Sequence, residues 1–469
     1  MKKLYYRILL LLGMVAAVIF ITDRTGIFEA DLGNNHEKAS WNAFYDFTKD
    51  NEVDVLLVGN SHLYTGINPN HLSCLLGANC FILAGSGAPV IDVYYALEEA
   101  LTRCTPKLVV LETYCIDDKR VREQKEGNLS NEFKSFASRR NIPRKLLSTP
   151  VLFSSDNYLS AWSTSVRNHD FIFKYPKQIA LNLEGKNVLH KKSDLELGRF
   201  TRFTSGITAR SDSLYDVLGP VVDSDEFKVN RESYGAVKKI QAICRKKGIP
   251  LVYLTVPMYH KHVANYGSWK TIVSRVLGPD ANWLDLQDPY DYRLFDKDCF
   301  EDTRKDNQHT SALGARICDY KLADFIIEKS GVSLPDRHRE VEWRKLFRNE
   351  EGYFEHYSPD PDDTKNLLLC GNASLGGLVL VKDCVLAQGE EKSLVLMKVD
   401  KGTDPNLLRN GIELLIGSET AKGKEYYSVV VRRDPGTDPH DHYLLVAGTS
   451  INGLKSARLE SARLLTPVE

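Results

Sequence analysis

A serine, a histidine and an aspartate in this sequence have the types and spacing of a nucleophilic catalytic group. Ser61 stands in "VDVLLVGNSHLYTGINP", two residues after Gly59, where a dense apolar run stops. Far along the chain, Asp306 and His309 stand three residues apart in "EDTRKDNQHTSALGARI". This D-x-x-H spacing lets one turn carry both groups, so that the carboxylate holds one imidazole nitrogen while the other faces the serine. A serine hydroxyl needs such a base, because its own pKa leaves it a poor nucleophile.

Ser61 also has a structural interpretation, since a serine after a strand commonly caps the next helix. Its surroundings favour chemistry: Gly59 allows a tight turn, and a backbone N–H at or near a helix start can face developing negative charge. A third interpretation takes "GNSHLYTG" as a phosphate-binding turn. That turn lacks the Walker lysine and the dinucleotide glycine spacing. We therefore expect a nucleophile.

The elements that must position these residues form a repeating alternation of strands and helices. Apolar, β-branched runs are typical of strands covered on both faces, and their alternation with helices predicts a doubly wound parallel sheet. In such a sheet the functional site lies beyond the carboxyl ends of the strands, which we call the working end. Ser61 follows the first strand and is therefore expected there. The predicted strands are "VDVLLVG", "CFILAG", "KLVVLET", "IPLVYLTVP" and "NWLDLQ". The predicted helices are "NPNHLSCLLG", "PVIDVYYALEEALTRC", "SYGAVKKIQAICRKKG" and "SALGARICDYKLADFIIEKSG".

The two motifs resemble a known family. "VGNSH" after the first strand and "DNQHTSALGAR" before the last helix are similar to the first and last blocks of the SGNH (GDSL-like) hydrolase superfamily. The resemblance covers roughly residues 50–120 and 235–330. It implies a flavodoxin-like α/β fold with helices on both faces of a parallel sheet. It also implies that Ser61 is the nucleophile, His309 the base and Asp306 its orienting acid.

The resemblance implies an oxyanion hole as well. Its donors would be the Ser61 N–H and a glycine N–H from "LAGSGAP", for which Gly87 is preferred and Gly85 is the alternative. The family's third block offers an asparagine after the third strand, where this chain has "VVLETYCIDD". Losing one such donor typically costs about 2.7–4 kcal/mol of transition-state stabilisation. A donor must come from the insertion described below or from one of the residues that replace the asparagine: Glu112, Thr113 or Tyr114.

Further residues are candidates for the walls of the cleft. Asn60 replaces the usual acidic residue before the serine, and His62 adjoins Ser61. The His62 side chain should point away from Ser61, which favours a packed or exposed role. "TVPMYH" after the fourth strand also reaches the working end, although loop residues there are more often structural. The predicted cleft-lining residues are Asn60, His62, Tyr114, Pro257, Tyr259 and His260.

The N-terminus has the pattern of a signal sequence or a membrane anchor, within residues 1–28. "MKKLYYRILLLLGMVAAVIFITDR" places Lys2 and Lys3 ahead of an apolar run over residues 8–21. The run is shorter than the roughly 20 residues that span a bilayer comfortably, but snorkelling of the preceding arginine permits a short anchor. No small-x-small cleavage site follows, which favours an uncleaved anchor. The basic flank then stays in the cytoplasm, so the rest is expected to be exported, periplasmic or at the cell surface.

After the N-terminal segment of residues 1–28, we predict three further regions along the chain. Residues 29–335 form an SGNH hydrolase-like α/β domain with an insertion at about 114–233, which is a mostly helical cap over one end of the sheet or a surface elaboration. A polar linker covers 336–365. Short strands separated by Gly, Asp and Pro turns over 366–469 are typical of an antiparallel β-sandwich. That domain either binds carbohydrate or acts as a spacer.

Composition excludes some classes of function. Lys+Arg 61 against Asp+Glu 62 gives a net charge of -1, without the basic excess of a nucleic-acid partner. The nine cysteines contain no CxxC and no Cys/His cluster, so we expect no metal, and no cofactor is implied. Export permits disulfides, and Cys370 with Cys384, which flank a predicted hairpin, is the favoured pair.

The layout of anchor, SGNH-like domain and β-rich tail is similar to that of bacterial exopolysaccharide acetylation proteins such as the alginate acetyltransferases. This resemblance implies a serine esterase or O-acetyltransferase that acts on exported polysaccharide. Its partners would be an acylated glycan or acyl donor, the membrane, and other proteins of a polysaccharide-modification system. The alternative is a glycan-binding or assembly protein with weak or no catalysis on an SGNH-like scaffold.

Overall fold

The structure is a computed structural model that describes most of the N-terminal two thirds of the chain and six strands nearer its C-terminus. The described residues before the C-terminal strands are 2–117, 119–189, 222–223, 227–292, 294–295, 299–300, 309–337, 340 and 343.

Five parallel strands form the central sheet. The strands of this part of the chain are β1 Val55–Gly59, β2 Cys80–Ala84, β3 Leu108–Glu112, β4 Val222–Asp223, β5 Leu251–Thr255, β6 Val263–Ala264 and β7 Asn282–Asp285. The sheet has the order β2-β1-β3-β5-β7, and every pairing in it is parallel. β4 and β6 make a separate short parallel pair. Counted along the sheet, this is the 2-1-3-4-5 order of flavodoxin-like doubly wound folds, which confirms the predicted parallel α/β sheet.

The strands form because their apolar residues are covered on both faces. Every residue of β1 is buried. Successive side chains of a strand point to opposite faces, so Leu56 and Val58 lie in one core cluster and Val55 and Leu57 in the other. A run that is apolar at every position is therefore what this sheet requires.

Helices cover both faces of the sheet. α2, α5, α12 and α13 contribute to the core on one face, and α3, α4, α14 and α15 to the core on the other. The helices are α1 Lys2–Thr25, α2 His36–Asp50, α3 Ser61–Gly66, α4 Pro69–Leu76, α5 Val90–Ala100, α6 Ser130–Ser138, α7 Ile142–Leu152, α8 Tyr158–Trp162, α9 Thr164–Arg167, α10 Phe171–Lys174, α11 Pro176–Leu183, α12 Arg231–Lys247, α13 Tyr266–Leu277, α14 Pro289–Tyr292 and α15 Ala312–Lys329.

The described part of the insertion is mostly helical: it contains α6 to α11, together with the short strand β4. Its helices α6 and α7 pack on α2 and α5. Arg139 forms a buried ion pair with Asp92 of α5, and the Glu99 carboxylate accepts the backbone N–H groups of Arg140 and Asn141 at 2.7 and 2.9 Å. Helices α6 and α7 thus make an outer layer against α2 and α5 on one face of the α/β domain. The predicted cap over one end of the sheet stays a prediction, because residues 190–221 of the insertion lie outside the described residues.

The N-terminal apolar run lies in α1, a helix of 24 residues. At 1.5 Å per residue it is about 36 Å long, which exceeds the roughly 30 Å of a bilayer's hydrocarbon core. None of its apolar stretch is buried against the rest of the chain, and its length and composition suffice to cross a membrane. A signal sequence can have the same length and composition.

The α/β domain extends past its predicted end at residue 335. Arg337 lies within the predicted linker, and its guanidinium Nε donates to Asp54 Oδ2 at 3.0 Å. Trp343 is buried in the core, and its indole N–H donates to Asn79 Oδ1 at 2.8 Å. The polar composition of the segment did not predict these two contacts. Each of them depends on a distant partner, Asp54 or Asn79, which precedes a strand of the sheet.

The described C-terminal strands pair antiparallel. β8, β9, β12 and β13 form a sheet in the order β13-β12-β9-β8, and β10 pairs with β11. The ranges are β8 Val379–Lys382, β9 Leu394–Val399, β10 Glu413–Ala421, β11 Lys424–Arg432, β12 His442–Asn452 and β13 Ser456–Leu465. Cys370 and Cys384 lie outside the described residues. Described cysteines that are free thiols include Cys80, Cys104, Cys115, Cys244 and Cys318.

Candidate active site

The turn after β1 presents Ser61 at the carboxyl edge of the sheet. A Cβ on Gly59 would lie 2.5 Å from the Cβ of Glu112 on β3, so only glycine fits where β1 ends. Asn60 caps α3, because its Oδ1 accepts the His62 N–H at 2.9 Å. The capping role that the sequence offered to Ser61 therefore belongs to Asn60. Ser61 is the first residue of the helix, and its hydroxyl is available for another partner.

That partner is His309. The Ser61 Oγ lies 3.0 Å from His309 Nε2, although 248 positions separate the two residues in the chain. Both side chains are half-buried. This distance is within hydrogen-bond reach, as required of a nucleophile and its base. Asp306, the predicted orienting acid, lies outside the described residues.

The turn that carries His309 is fixed against the rest of the domain. Thr310 pairs with Phe300 in an isolated antiparallel bridge, and the Ser311 N–H donates to the Cys299 carbonyl at 2.8 Å. Ser311 also caps α15 through its side chain. A Cβ on Gly314 would lie 2.2 Å from the Cys299 carbonyl oxygen, so the glycine of "HTSALGAR" permits this close approach. The residues of this motif therefore fix the position of the His309 imidazole through their contacts with Cys299 and Phe300.

The glycines after β2 differ in their fitness as oxyanion donors. The Gly85 N–H donates to the Gly59 carbonyl at 3.3 Å and is therefore engaged. Gly87 has φ +59°, a left-handed conformation that favours glycine. The structure gives the Gly87 N–H no acceptor among the residues it describes. This difference favours Gly87, the glycine that the sequence analysis preferred.

The loop that carries Gly87 is held by residues that sequence reasoning missed. Glu37, in the first turn of α2, accepts the Ser86 N–H at 2.9 Å. The Tyr64 hydroxyl lies 3.0 Å from the Ser86 hydroxyl, and the His36 ring packs on the Tyr64 ring at 4.1 Å. α2 precedes the first strand, and no motif marks its first turn, so only the folded chain reveals this support.

At the end of β3, where the resemblance to SGNH hydrolases leads us to expect an asparagine, Glu112 Oε1 and the Thr113 hydroxyl are engaged with other groups. Glu112 is fully buried, and its Oε1 accepts the Tyr114 N–H at 2.6 Å. Burial raises the pKa of Glu112 to about 8, against the opposing effect of nearby backbone N–H groups, led by that of Tyr114. The Thr113 hydroxyl pairs with the Thr255 hydroxyl at 2.7 Å. Neither side chain is thus shown donating towards Ser61.

The rings of Tyr114 and His62 pack at a tilt beside His309. The rings of His62 and Tyr114 are 4.9 Å apart, and the His62 ring is 5.1 Å from that of His309. His62 is buried, in agreement with its expected packed role, but its ring packs beside that of His309 instead of pointing away from the site. The Tyr114 hydroxyl donates to Gln287 Oε1 at 3.3 Å. Tyr114 is therefore near the site, with its hydroxyl directed at the turn after β7.

The three residues predicted after β5 are divided between core and surface. Tyr259 is 1 % exposed, and its ring packs 5.5 Å from that of Phe300. Pro257 is also buried, whereas His260 is exposed and its N–H donates to the Tyr292 hydroxyl at 2.7 Å. Tyr259 therefore does not line an open cleft as predicted, because its aromatic ring completes the core beneath the loop.

The end of β7 adds a polar cluster to this edge of the sheet. Burial raises the pKa of Asp285 to about 6, opposed by the hydrogen bond from Tyr266 and by the charge of Lys270. Gln287 Oε1 accepts the Met258 N–H at 2.7 Å as well as the Tyr114 hydroxyl, and so ties three strand-end loops together. The strand-end rule applied to "NWLDLQ" could have identified both residues.

Comparison of the chain with protein-family models finds no match, and comparison with curated proteins finds none.

Proposed function

We propose that this protein is a serine-dependent acyl-ester hydrolase or O-acyltransferase of the SGNH type. The observation that carries the proposal is the 3.0 Å separation between Ser61 Oγ and His309 Nε2. The two residues reach each other from the end of the first strand and from the turn before the last helix of the α/β domain. These are the positions from which an SGNH enzyme draws its nucleophile and its base. The proposal assigns the third catalytic position to Asp306.

The proposed reaction has two halves. In the first, Ser61 Oγ attacks the acyl carbonyl carbon while His309 Nε2 takes the hydroxyl proton, and a C–O bond forms. The tetrahedral intermediate collapses with cleavage of the bond to the leaving alcohol, which receives the proton from His309. In the second, water or a sugar hydroxyl attacks the acyl-enzyme and gives its proton to His309. The bond from the acyl carbon to Ser61 Oγ then breaks, Ser61 takes this proton back from His309, and a carboxylic acid or a new ester is formed.

The negative oxygen of each intermediate requires donors. Gly87 and the Ser61 N–H are the proposed donors, since Gly85 already bonds Gly59. With two donors in place of three, we expect a slower enzyme than one with a complete oxyanion hole, because each donor contributes about 2.7–4 kcal/mol to transition-state stabilisation.

The proposed substrate is an acyl ester, most simply an acetyl ester, on exported polysaccharide. Support comes from the layout: α1 is proposed to remain as a membrane anchor, which places the α/β domain outside the cytoplasm. The antiparallel strands after it are proposed to form a β-sandwich that binds glycan. The acyl donor and other proteins of a polysaccharide-modification system would be its partners.

A fluorophosphonate probe tests the nucleophile directly, because it phosphonylates only activated serines. The full chain in detergent is treated with the probe, and the modified peptide is identified by mass spectrometry. We expect labelling at Ser61, loss of labelling in Ser61→Ala and His309→Ala, and retention in Ser130→Ala, a control at an exposed serine. Absence of labelling at Ser61 in the folded wild-type protein would refute an activated serine.

Ester turnover completes the test. With p-nitrophenyl acetate, Ser61→Ala should lose turnover by roughly three orders of magnitude or more, as for other members of a catalytic triad. Addition of an oligosaccharide acceptor separates the two reactions. A transferase gives an acylated sugar at the expense of free acetate, whereas a hydrolase gives acetate at an unchanged rate.

The engagement of Glu112 and Thr113 favours one competing function, a glycan-binding or assembly protein with weak or no catalysis. In that case the Ser61–His309 pair would be a structural hydrogen bond. Probe labelling at Ser61 excludes this function. Glycan binding without labelling, together with failure on model and glycan esters, supports it.

A further inference from the structure

Exposed apolar side chains are concentrated on one part of the α/β domain. Among the described residues outside α1, eleven of the thirteen large apolar side chains that are exposed lie between residues 142 and 188. The other two are Tyr234 and Ile327. Scattered exposed apolar residues are normal in soluble proteins, but a concentration of this kind marks a surface that contacts a partner or a membrane.

The densest part comprises α10, α11 and the residues that follow, which we call the α10–α11 surface. Phe173 is 84 % exposed and Leu183 66 % exposed, and none of the residues 171–188 is buried. The exposed apolar side chains of this surface are Ile172, Phe173, Tyr175, Leu181, Leu183 and Val188.

This surface is bound to the end of α1. Asn182 of α11 donates from its amide to the carbonyls of Ile27 and Glu29 at 2.6 and 2.8 Å. Asn187 donates to the Ala30 carbonyl at 2.9 Å. Immediately before this surface, Ser165 of α9 donates its N–H to Asp23 Oδ1 at 2.7 Å. Four contacts from two helices and the following loop thus hold this part of the insertion against residues 23–30.

The position of these contacts determines how deep in a membrane the α10–α11 surface would lie. Ile27 follows the last residue of α1 by two positions, a distance of at most about 7 Å of extended chain. The headgroup region on each side of a bilayer is roughly 5–7 Å thick, from the difference between the full and the hydrocarbon thickness. If α1 crosses a membrane, Asn182 and its exposed neighbours Leu181 and Leu183 therefore lie at the level of the headgroups.

The composition of the surface suits that location. Phe173 and Tyr175 are aromatic residues of the kind enriched at membrane–water interfaces. Lys177 is exposed among the apolar residues, at a place suited to anionic lipid headgroups. Lys174 and Lys186 are exposed as well, and each pairs with an acidic neighbour, Asp170 and Glu184. Apolar side chains that insert at the boundary of the acyl chains, with basic residues beside them, are typical of interfacial helices.

We infer that the α10–α11 surface of the insertion rests on the bilayer surface beside the exit of α1, so that lipid covers its exposed apolar side chains. The protein is then held at two places, by the span and by an interfacial platform. The span alone would let the domain rotate and tilt, whereas the platform fixes the orientation of the domain relative to the membrane. This inference rests on the retention of α1 as an anchor, which is part of the proposed function.

Photo-cross-linking to lipid tests the inference on the full chain. The photoreactive residue p-benzoylphenylalanine replaces one side chain at a time, in protein reconstituted into vesicles of phosphatidylethanolamine and phosphatidylglycerol that carry a radiolabelled phospholipid. Phe173 and Leu183 are the test positions. Phe20, 60 % exposed in α1, is the positive control, and Tyr234, 45 % exposed on α12, is the matched aromatic control.

We expect lipid adducts at Phe20, Phe173 and Leu183, with only background at Tyr234. Adducts at Phe20 alone would overturn the platform while leaving the anchor intact. Loss of the adduct at Phe20 as well would show that α1 is not in the bilayer, and would overturn both. A cross-link from Phe173 to a second copy of the chain or to another protein, in place of lipid, would make the surface a protein interface and would refute the inference. Labelling of Ser61 by fluorophosphonate remains an independent measure of the enzyme.

Discussion

The substitution Glu112→Gln tests whether burial at the end of β3 keeps the Glu112 carboxyl protonated at neutral pH. Glu112 is fully buried behind the turn that presents Ser61, and burial raises the pKa of its carboxyl to about 8 from an ordinary value of 4.5. At neutral pH the group is therefore mostly protonated. Glutamine reproduces the shape of the protonated acid and can keep the hydrogen bond from the Tyr114 N–H.

The two pKa values determine the direction of the effect on stability. The unfolded chain releases the Glu112 proton near pH 4.5, whereas the folded chain holds it until about pH 8. Between these values the folded state binds more protons than the unfolded state, so the free energy of unfolding falls as pH rises. The stability is fully present below pH 4.5 and is lost progressively as pH approaches the folded pKa.

The magnitude follows from the difference between the two pKa values. From 4.5 to about 8 there are 3.5 units, and at about 1.4 kcal/mol per unit the full loss is roughly 5 kcal/mol. Roughly 4 kcal/mol of this falls between about pH 5 and pH 9. Since the substituted glutamine cannot ionise, the variant should gain this amount relative to wild type over the same interval. At about 2 °C per kcal/mol for a large domain, the difference in Tm should grow by roughly 8 °C.

The measurement is the Tm of the full chain in detergent at several pH values from acidic to alkaline, for wild type, Glu112→Gln and Glu126→Gln. Glu126 is exposed and serves as the matched control, so its difference from wild type should not vary with pH. A Glu112→Gln difference that is the same at every pH would refute the reasoning, because it would mean that burial leaves the pKa of the Glu112 carboxyl at its unfolded value. Ionisable groups shared by all three proteins, such as Asp285, cancel in the comparison.

Further predictions concern packing and charge. Gly66→Ala should lower the free energy of unfolding by about 1–3 kcal/mol, because the new Cβ would lie 2.3 Å from Val256 Cγ1. Gly235→Ala, in a helix where a Cβ meets nothing within 4 Å, should instead raise it by up to about 1 kcal/mol, and denaturation of the pair tests this contrast. Arg139→Met should cost about 3–5 kcal/mol, because it leaves the Asp92 carboxylate buried without its partner. Partial restoration of stability by adding Asp92→Asn would support that cause, and a neutral Arg139→Met would contradict it.

Much of the fold could be predicted because its signals are local. The apolar run of β1 predicts a strand, and the glycine after α4 and the basic last turn of α12 mark helix ends. Each of these signals lies within a few residues. Parallel strands place their carboxyl ends together, so the strand-end rule located Ser61 at this edge, and the SGNH resemblance indicated Gly87 and Glu112 after the second and third strands. The rule gives the edge of the sheet, but it does not say which side chains turn inward.

The side-chain roles at that edge required the structure. Asn60 takes the capping role that the sequence offered to Ser61, and Tyr259 completes the core where a cleft residue was expected. Glu37 supports the loop of Gly87 from a helix that precedes the sheet. The roles of Glu37 and Tyr259 depend on a partner that is distant in sequence and on the packing of a loop, and neither leaves a periodic pattern. The Asn60 cap is local, but Asn and Ser are about equally good caps, so the sequence alone did not decide between Asn60 and Ser61.

The sequence by itself determined the alternation of helices and strands, the apolar N-terminal helix and the edge at which polar strand-end residues gather, because each follows from apolar periodicity or from the direction of the strands. Only the tertiary structure brought Ser61 within 3.0 Å of His309, buried Glu112 behind the turn that presents Ser61 and placed the insertion against the end of α1. The physical reason is that hydrogen bonds and burial are set by which surfaces meet when the chain closes, and residues far apart in the chain supply those surfaces.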